Sequence, residues 1–289
     1  MTETNRPDVE AFFDEATNTV SYLVRDPATG KAAVVDPVLD YDQTTGKAST
    51  ASADAILDAA KKKGADIVWV LETHAHADHL SAAPYLKQVT GAKVGIGEHI
   101  RDVQRIFRPV FNIDDVSGDG SEFDRLFADG ERFRIGDLEA EVMHTPGHTP
   151  ACVSYRIGNA VFVGDTVFMP DFGTARADFP GGDARTLYRS IQKLLALPPE
   201  TRAFMCHDYK PESRDNYAWE TTIGAERKNR HLVDADEEAF VVTRKARDTA
   251  LTAPVLLLPS IQTNIRAGQL PPAESNGVSY IKIPVKLAS

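Results

Sequence analysis

The chain has 289 residues, of which 42% are hydrophobic and 26% are charged, proportions typical of a folded globular protein rather than of a disordered, collagen-like or coiled-coil one. The formal net charge of -10 disfavours a nucleic-acid-binding protein, because that class usually presents a basic surface to phosphates. Two cysteines are too few for a disulfide scaffold and are compatible with a reducing compartment.

The sequence shows no sign of a targeting or membrane-spanning segment. Residues 1–16 are acidic and lack the basic segment and apolar run of a secretory signal. No stretch approaches the roughly 18 apolar residues that a membrane span needs. We therefore expect a soluble protein, cytoplasmic by default, that binds neither membranes nor nucleic acid.

The first third of the chain predicts a hairpin, a helix and a further strand. β-rich runs at residues 19–25 and 32–35 predict a buried hairpin. Residues 52–63 predict a helix that Ser52 caps, with lysines in the last turn, where the helix dipole favours them. A strand over residues 67–72 then runs directly into a histidine-rich loop, and another helix should start near Ser81. Loops between a strand and a helix are where α/β folds place ligands.

The rest of the chain continues this mixture of helices and strands. The predicted elements are, in order, a strand over residues 93–96, a helix over 98–107, an acidic surface loop over 112–121, strands over 132–135, 139–144, 152–157 and 160–163, a helix over 183–195, a strand over 203–206, a helix over 237–251 and a Pro-rich tail over 253–285. There is no repeat of fixed period and no convincing linker. We predict one domain over residues 1–289, with a motif-bearing core at about 10–210 and C-terminal helices and the tail at about 211–289.

Four polar residues lie close together on the loop after the third strand. His74, His76, Asp78 and His79 form the pattern H-x-H-x-D-H. Three imidazoles this close favour a shared cation over three separate roles. The alternative is a solvated polar turn.

Two later positions fit the same hypothesis. His148 follows Pro146 and Gly147, which form a turn that can aim one side chain inward. Asp165 follows an apolar strand and Gly164, where an acidic residue is either a helix cap or a ligand. Together the three segments indicate a metal site.

These patterns resemble the metallo-β-lactamase superfamily, whose H-x-H-x-D-H, later P-G-H, strand-end G-D and last His (His207 here) occur in the same order over residues 18–210. The resemblance implies an α/β chain in the metallo-β-lactamase fold, a four-layered αβ/βα sandwich of two mixed sheets with outer helices and a metal site along one edge. It also implies two metal positions, lined by His74, His76 and His148 and by Asp78, His79 and His207, with Asp165 between them.

Within the superfamily, the chain resembles the persulfide dioxygenases of the glyoxalase II branch. Residues 176–179 form the R-x-D-F segment of that group, where glyoxalase II typically has G-R-F-x-E-G, and residues 222–232 resemble the helix after its H-D-Y. Cys206, at a position where mammalian-type enzymes have Gly, and the long tail are departures that look like a bacterial subgroup and leave the thiol substrate open. We interpret Cys206 as a buried strand-end residue rather than a redox thiol.

The resemblance implies a glutathione persulfide dioxygenase with one Fe(II) per chain. His74, His148 and Asp165 supply the two histidines and one carboxylate that suit non-haem iron with open positions. The implied reaction oxidises the outer sulfur of glutathione persulfide with O2 to sulfite and releases glutathione. The predicted catalytic group beside the metal comprises His76, Asp78, His79, His207 and Tyr209.

Two other functions fit the sequence. Because all seven residues of a two-metal site are present, a glyoxalase II-like thioester hydrolase with two zinc or iron ions is the main alternative. A sulfide or metal sensor without catalysis is a further one. The R-x-D-F segment argues against the hydrolase.

Glutathione is anionic, so an acidic chain must supply hydrogen-bond donors locally. We predict that Arg176 holds a glutathione carboxylate through its planar fork, the alternative being a pair with Asp178 or Asp165. Further predicted substrate-binding residues are Tyr209, Lys210 and Arg214, of which Arg214 has a surface pair with Asp215 as its alternative. As partners we expect glutathione persulfide, O2 and a second copy of the chain in a homodimer.

Overall fold

A computed structural model of the protein describes residues 6–285. The strands are β1 (Asp8–Asp14), β2 (Thr19–Arg25), β3 (Lys31–Val35), β4 (Val38–Asp42), β5 (Lys47–Ser49), β6 (Asp66–Leu71), β7 (Leu80–Ser81), β8 (Lys93–Gly97), β9 (Arg125–Phe127), β10 (Arg132–Ile135), β11 (Leu138–His144), β12 (Val153–Ile157), β13 (Ala160–Phe162), β14 (Arg202–Phe204) and β15 (Glu220–Thr222). The helices are α1 (Ala51–Lys62), α2 (Ala83–Thr90), α3 (Ile100–Phe111), α4 (Ala184–Leu195), α5 (Ile223–Glu226), α6 (Glu237–Asp248) and α7 (Leu257–Asn264).

Two six-stranded mixed sheets form the centre of the molecule. The first has the order β1-β2-β3-β6-β8-β9, antiparallel from β1 to β3 and parallel from β3 to β9. The second has the order β10-β11-β12-β13-β14-β15 and is antiparallel except where β13 pairs with β14. A small sheet of β5, β4 and β7 lies outside these two.

Alternation along the strands divides the buried side chains among separate cores. On β2, Leu23 belongs to the core under helices α1, α2, α3 and α7, whereas Tyr22 belongs to the core between the two sheets. On β13, Phe162 faces the first sheet, whereas Val161 packs against Leu187 of α4 and residues of α6. Successive strand residues point to opposite faces, so each sheet is covered on both sides. The predicted four-layered sandwich is confirmed.

Local details differ from the sequence predictions at two helices. Thr50, not Ser52, is the N-cap residue of α1, and the hydroxyl of Ser52 donates a hydrogen bond to Asp40 instead. Helix α3 runs on to Phe111 rather than ending at residue 107, although Pro109 lies within it. Phe111 is buried in the first core, and this burial outweighs the hydrogen bond that Pro109 removes.

The predicted Pro-rich tail contains helix α7, which the sequence analysis missed. Pro259 is the third residue of α7, in the first turn, where the missing N–H of proline removes no helical hydrogen bond. Six of the eight residues of α7 are buried, and the helix packs against β7 and α3. Among the described residues no helix is long and apolar enough to cross a membrane. The extent of the single domain stays a prediction.

Candidate metal centre

Four loops bring the motif residues to one edge of the two sheets. Strand β6 ends at Leu71 and leads into the loop of His74, His76, Asp78 and His79. The other loops follow β11, β13 and β14 and carry His148, Asp165 and His207. Each strand is anchored by buried apolar residues, so its polar extension is held at the rim of the sandwich.

His74, His148 and Asp165 form one compact group. Their candidate ligand atoms all lie within 4.8 Å of one another. The Nε2 atoms of His74 and His148 are 4.0 Å and 3.4 Å from Oδ2 of Asp165, and all three residues are buried. Nδ1 of His148 donates to the backbone carbonyl of Arg176 at 2.8 Å, which leaves the lone pair of its Nε2 for a ligand.

A second group lies beside the first. His76, Asp78 and His79 bring ligand atoms within the same 4.8 Å limit. His207 joins the two groups, because its Nε2 is 3.3 Å from Oδ1 of Asp165 and 3.6 Å from Oδ2 of Asp78. The structure therefore brings all seven motif residues together.

The ring of His76 is oriented by two buried carboxylates whose roles the sequence analysis missed. Nε2 of His76 donates to Oδ1 of Asp36 at 2.9 Å and lies 3.4 Å from Oε2 of Glu72. Asp36 also accepts from the backbone N–H and the hydroxyl of Thr73, at 2.7 Å and 2.8 Å. The available signal was an acidic residue directly after a buried strand.

Electrostatics keep His74 neutral and Asp165 ionised, the forms in which both can bind a cation. Burial, together with His76, lowers the pKa of His74 well below its usual value, so His74 is neutral. Burial would raise the pKa of Asp165, but His207 and His148 outweigh it and hold that pKa well below the usual range. Burial likewise opposes the charge on His207, yet Asp165 and Asp78 raise its pKa to about 9. The carboxylate is thus ionised and His74 offers a lone pair.

The residues fit a metal ion. Within the described part of the chain, Nε2 of His74, Nδ1 of His76 and Nε2 of His79 are buried atoms without a hydrogen-bond partner. Buried polar atoms without partners are costly unless a ligand satisfies them. Imidazole nitrogen and carboxylate oxygen are ligands that iron and zinc accept. The site can therefore hold a divalent cation.

Cys206 lies next to His207 and is buried, as the sequence predicted, two residues beyond β14. Its thiol lies 3.7 Å from Oδ2 of Asp36. Burial, and then the charge of Asp36, raises the pKa of Cys206 well above its usual value. The residue is therefore a neutral thiol and a poor nucleophile.

Tyr209 and Lys210 follow His207 on the same loop. The Tyr209 ring stacks on Phe172 with centroids 5.0 Å apart and lies 5.7 Å from the His207 ring. It is 41% exposed, so its edge reaches solvent. Nζ of Lys210 is 5.2 Å from the ring centre of Tyr217 and makes no ion pair among the described residues.

The two predicted arginines are bound to aspartates of the chain. Nε and Nη2 of Arg176 donate to Asp178 at 2.6 Å and 2.8 Å, the pairing that the sequence left as the alternative, and its Nη1 donates to the carbonyl of Thr252. Arg214 pairs with Asp208 and Asp171, so the alternative considered for it, a surface pair with Asp215, does not form. Both guanidinium groups therefore stabilise loops beside the site.

The loop after Asp165 is also held by a buried amide. Nδ2 of Asn229 donates to the backbone carbonyl of Gly173 at 2.8 Å and to Oε2 of Glu226 at 3.0 Å. Glu226 is buried, and its Oε1 is without a partner among the described atoms. Burial raises the pKa of Glu226 to about 8, so this carboxyl is protonated in the folded protein at neutral pH.

Glu226 should make the protein less stable as the pH rises. The unfolded chain releases this proton near the ordinary glutamate pKa of about 4.5, whereas the folded chain releases it only near 8. Between these values unfolding releases a proton, so stability falls with increasing pH. Glu226→Gln is expected to remove this loss, a gain on the order of a few kcal/mol at pH 8, measurable by urea denaturation at several pH values. Glu212→Gln, at an exposed position, is the control and should leave the pH profile as it is.

A four-layered αβ/βα sandwich with a buried His- and Asp-lined centre at one sheet edge defines a metal-binding enzyme. The sequence profile of the metallo-beta-lactamase superfamily matches residues 15–207. The chain belongs to this superfamily, as the motifs predicted.

Relatives of the chain carry the names of hydrolases and of a dioxygenase. It is 52% identical to a probable metallo-hydrolase of Burkholderia pseudomallei, over 96% of this chain and 98% of that protein. It is 34% identical to the hydroxyacylglutathione hydrolase of Rhodospirillum rubrum, over 65% of this chain and 61% of that protein. It is 29% identical to the mitochondrial persulfide dioxygenase ETHE1 of Homo sapiens, over 68% of this chain and 66% of that protein. It is also 53% identical, over 96% of its length, to a beta-lactamase hydrolase-like protein of Agrobacterium fabrum. Proteins with this name are longer, and the chain spans 65% of their length.

Among solved structures, ETHE1 from Myxococcus xanthus is similar over 91% of this chain and 100% of its own, with a TM-score of 0.73 and 28% sequence identity. The similarity thus extends beyond residues 15–207 into the C-terminal part of the chain.

Proposed function

We propose that the chain is a glutathione persulfide dioxygenase, in which O2 oxidises the outer sulfur of glutathione persulfide and water then cleaves the sulfur–sulfur bond to give sulfite and glutathione. The metal in this proposal is one Fe(II) per chain, held by His74, His148 and Asp165. Bound there, iron would supply the positions at which the persulfide sulfur and O2 meet.

The observation that carries the proposal is the compact group of two histidines and one carboxylate. The ligand atoms of these three residues lie within 4.8 Å of one another. The ring of His148 is fixed by the carbonyl of Arg176, within the R-x-D-F segment. The similarity to proteins named ETHE1 supports the same reaction.

The other site residues serve the reaction through hydrogen bonds. Nε2 of His207 lies 3.3 Å from Oδ1 of Asp165 and can donate a hydrogen bond to the oxygen atoms that form on the outer sulfur. Oδ2 of Asp78 lies 3.6 Å from the same nitrogen and helps to orient this ring. Tyr209 stacks beside His207 and can hydrogen-bond to the same oxygens through its hydroxyl. In this proposal His76 and His79 complete the polar wall of the site.

In this proposal the carboxylates of glutathione are bound by cationic side chains close to Tyr209, beside the site. Lys210 is exposed and makes no ion pair within the described residues, so it is the first of the proposed anchors. Arg176 and Arg214 are already paired with aspartates, and an anchoring role for either would require those pairs to open. The homodimer stays a prediction.

The second candidate is a glyoxalase II-like thioester hydrolase with two metal ions. The unpartnered Nδ1 of His76 and Nε2 of His79 favour it, because they offer lone pairs to further metal coordination. The hydrolase names among the relatives favour it as well.

Metal content and oxygen uptake distinguish the two functions. Protein purified without oxygen is expected to contain about one iron per chain and to consume O2 with glutathione persulfide, producing sulfite in step with the O2 consumed. It should hydrolyse S-lactoylglutathione no faster than buffer. Two zinc ions per chain with activity toward that thioester, and no oxygen uptake, would overturn the proposal and favour the hydrolase.

A further inference from the structure

The loop of His74, His76, Asp78 and His79 has little secondary structure of its own. It joins β6 to the two-residue strand β7, and its residues are almost all buried. Backbone N–H and C=O groups in such a loop must find partners outside it. These partners decide where the histidine rings point.

Asn264, the last residue of α7, supplies three of these partners. Its Nδ2 donates to the backbone carbonyls of His76 and His79, each at 2.8 Å. Its Oδ1 accepts from the backbone N–H of Ser81 at 2.9 Å. Asn264 is only 4% exposed, and its side chain joins both ends of a six-residue stretch that includes Asp78. One amide thus fixes the backbone on either side of a candidate metal ligand.

Helix α7 is itself anchored at this end. The side chain of Gln104, in α3, donates to the carbonyl of Ile265 at 2.9 Å. Arg266 forms two hydrogen bonds of 2.7 Å with Asp115. Gly268 has a φ of +82°, and a Cβ there would lie 2.8 Å from the carbonyl oxygen of Ser81. The segment after α7 is therefore packed directly against the end of the metal loop.

We propose that Asn264 is a positioning residue of the metal site, which fixes the backbone on either side of Asp78 and thereby the positions of the His76 and His79 rings beside the ion. Asn264 acts through these two residues and does not touch the metal. The inference rests on the proposed metal site and is independent of the reaction. An asparagine suits the role because only an amide of this length offers two donors and one acceptor at this distance from the helix.

The chemistry of the amide provides an isosteric test. Asn264→Asp keeps the acceptor for Ser81 but replaces both donors with a carboxylate oxygen that faces the carbonyls of His76 and His79. Asn264→Ala removes all three hydrogen bonds and is the second variant if the aspartate protein does not fold. Gln262→Ala is the matched control, because Gln262 is a buried amide of the same helix that bonds to Leu258 and Lys282 and not to the metal loop.

The experiment is an anaerobic titration of each metal-free protein with Fe(II) and with Co(II). Loss of a group that orients a ligand typically lowers metal affinity about 10- to 100-fold. We expect this loss of metal affinity in both Asn264 variants and not in the Gln262 variant. The Asn264 variants should also have a changed Co(II) absorption spectrum at saturation. In Asn264→Ala the backbone amide of Ser81 should also exchange its hydrogen faster. The thermal unfolding temperature of the metal-free protein should fall no further than in Gln262→Ala.

Three results would overturn the inference. Unchanged Fe(II) affinity and an unchanged Co(II) spectrum in the Asn264 variants, with tight binding in the wild type, would reject the role of Asn264 alone. An equal loss of metal affinity in Gln262→Ala would show that α7 acts only as a structural support. Absence of tight metal binding in the wild type would overturn the proposed metal site, and this inference with it.

Discussion

His74→Ala is expected to reduce iron in the anaerobically purified protein from about one per chain to almost none, and to abolish oxygen uptake. Nε2 of His74 is buried, has no hydrogen-bond partner among the described residues and lies 4.0 Å from Oδ2 of Asp165. Its pKa is held low by burial, so the ring needs no deprotonation before it binds a metal. Losing one of three protein ligands leaves only one histidine and one carboxylate to hold the ion. Elemental analysis and oxygen electrode measurements test this.

His76→Ala should be less damaging if one iron is bound. Nε2 of His76 donates a hydrogen bond of 2.9 Å to Asp36. In the proposed mononuclear site the His76 ring therefore orients the metal loop and does not ligate the ion. Affinity for Fe(II) should then fall about 10- to 100-fold rather than be lost. Thermal unfolding of both metal-free variants controls for misfolding. Equal loss of metal in the two variants would contradict the one-iron assignment and favour the binuclear hydrolase.

Gly147→Ala is expected to destabilise the metal-free protein by about 3 kcal/mol and to weaken metal binding as well. Gly147 has a φ of +138°, and a Cβ there would lie 2.3 Å from Cα of Leu187 and 2.4 Å from its backbone nitrogen. Both atoms belong to the backbone of α4, which cannot rotate away as a side chain could. The loop would have to move, and His148 is the next residue. Urea denaturation and Fe(II) titration measure the two effects.

Gly91→Ala is the control for a glycine with a positive φ but no close contact. Gly91 has a φ of +75°, yet nothing lies within 4 Å of the position of its missing Cβ. Alanine there should lower the stability only by the cost of the left-handed conformation, about 1 kcal/mol. A similarly small loss of stability in Gly147→Ala would show that α4 can move away from the added methyl group. That result would contradict the close packing described above.

Much of the architecture could be predicted because its signals are local. The hairpin of β2 and β3, the strand before the histidine loop and helix α4 each have an apolar pattern and a boundary residue in their own sequence. The resemblance of the separated motifs to those of the metallo-β-lactamase superfamily implied the four-layered fold, and the superfamily profile confirms it.

The remaining features depend on contacts between distant residues. Asp36 becomes important only because the parallel pairing of β3 with β6 sets it beside Thr73 and His76. Helix α7 is obscured in the sequence by Pro259 and can be recognised only from the residues it buries. The partners of Arg214 are another such case, since Asp171 is 43 residues away in the sequence. Pairings of this kind leave no periodic pattern that a single sequence displays.

The bond between Asn264 and the carbonyl of His76 spans 188 residues, which gives the site an order of assembly. Synthesis runs from the N-terminus, and the early part of a chain folds first. A growing chain that has just exposed His207 carries every candidate ligand but has not yet made α7. Iron is therefore expected to be captured firmly only after α7 has been synthesised and has packed against the metal loop.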